Sequence, residues 1–153
     1  MRKFEKISFE EFSKSVKDDK NLYDSFKLPA RKTTDAAGYD IYLLEDLDIK
    51  PGEIAKIPTG VKSCFNSDEV LFLIVRGSTG FKYNIRLVNQ VGVIDADYYN
   101  NEDNEGHIFV KVQNESDKPL HFDAGYSLVQ GIFMKFLTTD DGENLNKKRT
   151  SEY

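Results

Sequence analysis

Three short segments concentrate the side chains that could do chemistry. The first is Arg76-Gly77-Ser78-Thr79-Gly80, directly after the apolar run 70–75. Its glycines let the backbone turn sharply, its hydroxyls add donors, and Arg76 offers a planar cation for bidentate contact with phosphate oxygens. No Gly-Lys-Ser/Thr closes it, so it is not a Walker loop. The same composition serves an ordinary hairpin turn, and on these residues alone both readings stand. The second segment, 89–99, carries Asn89 and Gly92, then an apolar pair that delivers Asp95 to a strand end, with Asp97, Tyr98 and Tyr99 behind. A carboxylate there can orient and deprotonate a water, or simply cap a turn. The third, Ala36-Ala37-Gly38-Tyr39-Asp40, opens a strand with small residues and places a carboxylate second in it. By itself it reads as a turn into a strand.

Other chemistries find little footing. His107 and His121, the only histidines, are too far apart for a local metal motif, and Cys64 is the single cysteine. With no His/Cys cluster, Gly-X-Ser-X-Gly elbow or His-Glu-X-X-His motif, neither a protein-held zinc nor a Ser-His-Asp hydrolase is expected. Cys64 is expected to be a packing residue.

The elements that must position these segments are mostly strands. Beyond Pro29, five- to eight-residue runs rich in Ile, Val, Phe, Leu and Tyr alternate with Gly, Pro, Asn and Asp signals. Strands are predicted at 39–44, 54–57, 70–75, 85–88, 108–112, 120–122 and 128–137, which points to a sandwich or barrel rather than βαβ units. Before them, Ser8 and Glu11 at capping-box spacing, with Phe9, Phe12 and Val16 at helical intervals, predict one amphipathic helix over 7–27. The polar tail, 138–153, is expected to be mobile. At 153 residues the chain fits one domain, and its net charge of −5 argues against a general nucleic-acid binder. No signal peptide and no membrane-length apolar run is visible, so the cytoplasm is the default compartment.

In order, the segments resemble the signature motifs of the trimeric dUTPase family. Ala37-Gly38-Tyr39-Asp40-Ile41 is similar to the first motif, Arg76-Gly77-Ser78 to the second, and Gly125-Tyr126-Ser127-Leu128-Val129-Gln130 to the fourth. Residues 89–98 match the third, Asn-x-x-Gly-x-Ile-Asp-x-x-Tyr, and the resemblance runs from about residue 28 to 136. It implies an all-β, distorted jelly-roll-like domain over 28–137, with 1–27 as a helical extension and 138–153 as a tail. It also implies a homotrimer with shared sites that hydrolyses dUTP to dUMP and pyrophosphate. By this match Asp95 activates the attacking water, and Asn89, Gly92 and Ile94 meet the uracil. Tyr98 packs on the deoxyribose; Arg76, Gly77, Ser78 and Gln130 hold phosphates, and Asp40 supports them from behind. Arg149 matches the arginine of the fifth motif. Mg²⁺ is implied as a cofactor carried by the triphosphate and waters, with no protein cage; neither nucleic acid nor membrane is an implied partner.

The sequence departs from the pattern at Val75 (usually Pro), Gly77 (usually Ser) and Tyr126-Ser127 (usually Asp-Arg), and the Gly-rich fifth motif with its Phe has no counterpart before Tyr153. A slower enzyme is the expectation. The alternatives are a nucleotide-binding or regulatory relative with little turnover, and a dCTP deaminase.

Overall fold

Short β-branched and aromatic runs pair here because each has one face to bury and a turn signal at each end. The computed structural model describes residues 1–142; Arg149, matched above to the fifth motif, lies outside the described residues. Two antiparallel sheets carry the architecture. One has the order β2 (Tyr39–Tyr42), β11 (Ser127–Lys135), β6 (Glu69–Val75), β8 (Gly92–Asp95); the other has β4 (Ile54–Pro58), β9 (Phe109–Asn114), β7 (Ile85–Leu87). Two ribbons flank them, β1 (Lys3–Lys6) with β5 (Val61–Cys64), and β10 (Leu120–Phe122) with β3 (Leu47–Ile49). Leu71, Leu73, Ile94 and Val129 of the first sheet share one core with Ile85, Leu87, Val110 and Val112 of the second. Each fully buried aliphatic contributes about 1.5–3 kcal/mol. The fold is all-β and jelly-roll-like.

The predicted strands lie where strands are found, with ends shifted by a few residues. Three strands were not foreseen: β1, β3 and β5. Lys-Phe-Glu-Lys has too little apolar content to signal a strand, and its register on β5 (Lys3 opposite Cys64) is set by a distant partner.

The single helix predicted over 7–27 is corrected to two, α1 (Phe9–Ser15) and α2 (Lys20–Ser25). Ser8 Oγ accepts from Glu11 N at 3.1 Å, as the capping-box spacing requires, but Asp19 also acts as a cap, accepting from Leu22 N at 3.0 Å. A side chain that satisfies a fresh helix start competes with continuation of the old helix. The two helices close an aromatic cluster in which Phe12, fully buried, meets Phe9, Tyr23 and Phe26 at ring-centroid distances of 6.5, 5.2 and 5.7 Å.

Segment 1–27 is tied down at several points. The terminal ammonium donates to Asn66 Oδ1 at 3.0 Å, Arg2 pairs with the buried Glu69, and Ser8 Oγ donates to Glu105 at 2.5 Å. No helix among the described residues is long and apolar enough to cross a membrane.

Candidate active site

The Arg76-Gly80 segment is a helix start, not the loop or hairpin turn its composition suggested. Arg76 is the N-cap of α3 (Gly77–Tyr83), and Asn84 closes the helix in the left-handed conformation at φ 59°. The first N–H groups of any α-helix have no partner within it, so β6 delivers Arg76 together with backbone donors that the helix itself does not use. Thr79 and Tyr83 turn inward, while Gly77 and Ser78 are exposed.

Arg76 is held from two sides. Its Nε lies 3.3 Å from Asp40 Oδ1, and its Nη1 donates to Ser127 O at 3.2 Å. Asp40 is buried on β2, beside Gln130 on β11 in the pairing register. Gly38, two residues earlier on the same face, explains its own identity: a Cβ there would stand 1.9 Å from Gln130 Oε1. Thus Gly38, Asp40, Arg76, Ser78 and Gln130 gather at one end of the four-stranded sheet.

Asn89 and Asp95 stand elsewhere. β7 bonds to β9 while β8 bonds to β6, so the two arms of this hairpin join different sheets. Between the parted arms opens a cavity of about 290 Å³ lined by Leu73, Leu87, Val88, Asn89, Gly92, Phe109 and Val110, with the exposed Lys56 and Lys111 beside it. The hairpin tip is tight: Gln90 N donates to Leu87 O at 2.9 Å, and Gln90 sits at φ 65°, a conformation that costs a non-glycine residue about 1 kcal/mol. Gly92 faces Leu73, whose Cβ would be 2.9 Å from any Cβ added there.

Asp95, exposed, ends β8 and precedes a single 3-10 turn (Ala96–Tyr98); its side chain makes no capping bond. It stands opposite Val70, six residues before Arg76 on β6. At about 3.3 Å per residue the two are roughly 20 Å apart. One chain therefore does not bring Asp95 to Arg76.

Tyr98, matched above to the residue that packs on the deoxyribose, is 2% exposed and lies inside the core. Its hydroxyl donates to His107 O at 2.5 Å and accepts from Asn104 Nδ2 at 2.9 Å. The bonding capacity of that hydroxyl is met from beneath the hairpin, which holds the ring down. Ile94 is likewise buried, opposite Leu71. His107, not singled out by sequence except as a lone histidine, anchors this region. Its Nε2 accepts from Gly60 N at 2.9 Å and its ring lies 4.3 Å from that of Phe109. Burial pushes its pKa down to about 4, against a smaller opposing effect of Glu105. A sequence signal for such a residue hardly exists, because its partners are set by the sheet pairing.

Among the described residues one group of potential metal ligands converges: Asp46, His121 and Asp123, all exposed, at the β3–β10 edge. His121 is bracketed by Asp48 at 2.7 Å and Asp123 at 2.8 Å, and these bonds raise its pKa. None of these residues belongs to the strands that carry Asp40, Arg76 or Asp95. The carboxylates of these segments are Asp40, engaged by Arg76, and the exposed Asp95 and Asp97. That sparse oxygen set fits a hard ion held by ligand phosphates and waters.

The dUTPase family model matches residues 24–152. The deoxyuridine 5'-triphosphate nucleotidohydrolase of Lactococcus lactis subsp. lactis is 46% identical over 121 residues, covering 79% of this chain and 81% of that protein. The protein of the same name from Actinobacillus succinogenes is 35% identical over 140 residues, covering 82% and 88%. Among solved structures, the dUTPase from Streptococcus mutans superposes with a TM-score of 0.72 at 44% identity, covering 90% of this chain and 98% of that one. A dUTPase variant from phage phi11 of S. aureus, described as coordinating a structural Mg(II) ion, shares the fold at TM-score 0.68 and 17% identity.

Proposed function

The chain belongs to the dUTPase family, and we propose that it is a dUTP diphosphatase, hydrolysing dUTP to dUMP and pyrophosphate by water attack on the α-phosphorus. The observation that carries the reading is the parted hairpin, which sets Asn89 at a cavity wide enough for a nucleoside and Asp95 at the end of the same arm. Two backbone edges no longer bonded to each other can bond a pyrimidine edge instead. A cytosine there leaves buried donors and acceptors mismatched, which is how polar sites reject analogues. Asp95 orients the water and takes its proton. Arg76, Gly77, Ser78 and Gln130 hold the phosphates, and Asp40 keeps the Arg76 guanidinium aimed. Tyr98 supports the sugar site by fixing the hairpin's base. Mg²⁺ bound through triphosphate oxygens would supply charge neutralisation. The activity lowers dUTP and supplies dUMP for thymidylate synthesis.

The assembly is a homotrimer. Asp95 acts on phosphates held by a neighbour's Arg76, because the two are at opposite ends of β6. The sheet face between these ends supports the same reading. Paired residues share a face, so one face carries Asp40–Gln130–Ile74, then Ile132–Phe72–Val93, then Met134–Val70–Asp95. Its middle row is apolar, and Val93 there and Met134 in the row beside it are about half exposed. A contact that joins two different ends is head-to-tail, the kind from which closed rings are built when the rotation closes; the family resemblance sets the number at three.

Pyrophosphate release from dUTP, UTP, dTTP and dCTP tests the activity. Release from dUTP alone is expected; equal release from dCTP removes the base-reading role of the hairpin. Light scattering tests the trimer.

A further inference from the structure

We infer that Phe81 of one copy packs on Val93, with Val91 beside it, of the next copy, and so sets the spacing between one chain's phosphate cradle and its neighbour's hairpin. The inference rests on the shared site proposed above and names a contact that the site alone does not require.

Phe81 is 98% exposed on α3, whereas Tyr83 on the same helix packs on Phe122 at 5.3 Å. Residues three and four apart share a helix side, so Phe81 lies on the outward side with Gly77 and Ser78. On the hairpin the β alternation puts Val91, Val93 and Asp95 outward, while Gly92 and Ile94 face the core. Val93 is 51% exposed and Val91 43%.

Each element therefore carries, on one side, a polar group of the proposed site and an exposed apolar group. Asp95 must face a neighbour's Ser78 and Arg76, and when it does the apolar groups are brought along. Phe81 is about one 5.4 Å turn from Ser78, and Val93 is roughly 7 Å along the strand from Asp95. The two spacings are comparable, about 5 Å and about 7 Å. An apolar seal at that point also excludes water from the phosphate site.

Chemical cross-linking of the assembled protein tests this. In a Cys64→Ser background, chains carrying Phe81→Cys are mixed, after dissociation and reassembly, with chains carrying Val93→Cys, and treated with a short bis-maleimide. Cross-linked dimers are expected from the mixture and not from either variant alone. Phe81→Ser, an exposed change that leaves each fold intact, is expected to weaken assembly and lower dUTP turnover at least tenfold at dilute protein, with recovery at high concentration.

Assembly at wild-type strength without an 81–93 cross-link overturns the inference, as does cross-linking of Phe81→Cys with itself. Turnover of dUTP by the unaltered chain is read separately. Its absence together with an 81–93 cross-link defeats the enzymatic reading and leaves the contact standing.

Discussion

The two ends of the four-stranded sheet solve different problems. At the cradle end the cation is braced: Arg76 is held by Asp40 and by Ser127 O, and Gln130 lies over Gly38. At the hairpin end the proposed general base, Asp95, is exposed, and β8 and β7 are split between two sheets. Binding a polyanion demands fixed cations, and side-chain bracing provides them. Reading a base draws on polar groups at an open edge, and the parted hairpin offers two such edges. The difference is the ground for the proposed shared site: one chain does not bring Asp95 to Arg76.

The sharpest way to break that comparison is to disable one end at a time. Asp95→Asn is expected to lower turnover by roughly 10²–10⁴-fold, the worth of a positioned general base, while dUTP binding measured by calorimetry is kept. Unchanged turnover removes Asp95 from the reaction. Arg76→Ala is expected to be comparably inactive, with binding lost as well. Reassembled from a mixture, the two inactive variants should regain part of the wild-type rate, because an Asp95 from one meets an Arg76 from the other. Silence in the mixture means that the ends do not work across copies.

Smaller changes probe the bracing. Asp40→Asn keeps the size of the side chain but weakens its hold on Arg76; turnover is expected to fall about 10–100-fold, since a small misplacement of a positioning group costs that much. Gly38→Ala places a methyl against the Gln130 amide, which is free to swing away. The melting temperature should barely move while KM for dUTP rises several-fold. A large stability loss with unchanged KM means that Gly38 serves packing alone.

Sequence revealed the two ends unequally. Arg76, Asp40 and Asp95 stood out as candidates because segments rich in Gly and polar residues contrast with apolar runs; their proposed roles, and that of Asn89, came from the resemblance to the dUTPase motifs. Nothing local could show that Asp40 meets Arg76, since the contact exists only through β11 lying between β2 and β6. The helix after Arg76 was missed because two glycines and a threonine in its first turn disfavour helix; packing of Thr79 and Tyr83 overrides that preference. The split of one helix into α1 and α2 turned on Asp19 choosing to cap, a choice that burial of Tyr23 and Phe26 against Phe12 settles.

Acid separates the two ends by a smaller effect. His107 underpins the hairpin end and, being buried neutral, has its pKa lowered from 6.5 to about 4. The unfolded chain takes up that proton more readily than the folded one. Stability is therefore full above about pH 6.5 and falls until about pH 4, by about 3 kcal/mol at 1.36 kcal/mol per unit. His121, with its pKa raised by Asp48 and Asp123, acts in the opposite direction and outside this window: its contribution is present below 6.5 and fades as pH rises through its folded value. Glu5 and Glu105, both lowered, act below their ordinary 4.5. Between pH 6.5 and 4.5 the slope thus belongs chiefly to His107. His107→Gln keeps an acceptor for Gly60 N–H and should flatten it in urea titrations across that range. Amide exchange, corrected for its intrinsic pH dependence, should then show protection at Gly60 falling in the unaltered chain as pH drops. Protection at Arg76, whose N–H donates to Leu128 O at 2.9 Å, should hold. Equal loss at both places means that the two ends share one cooperative unit, and the contrast between them belongs to chemistry alone.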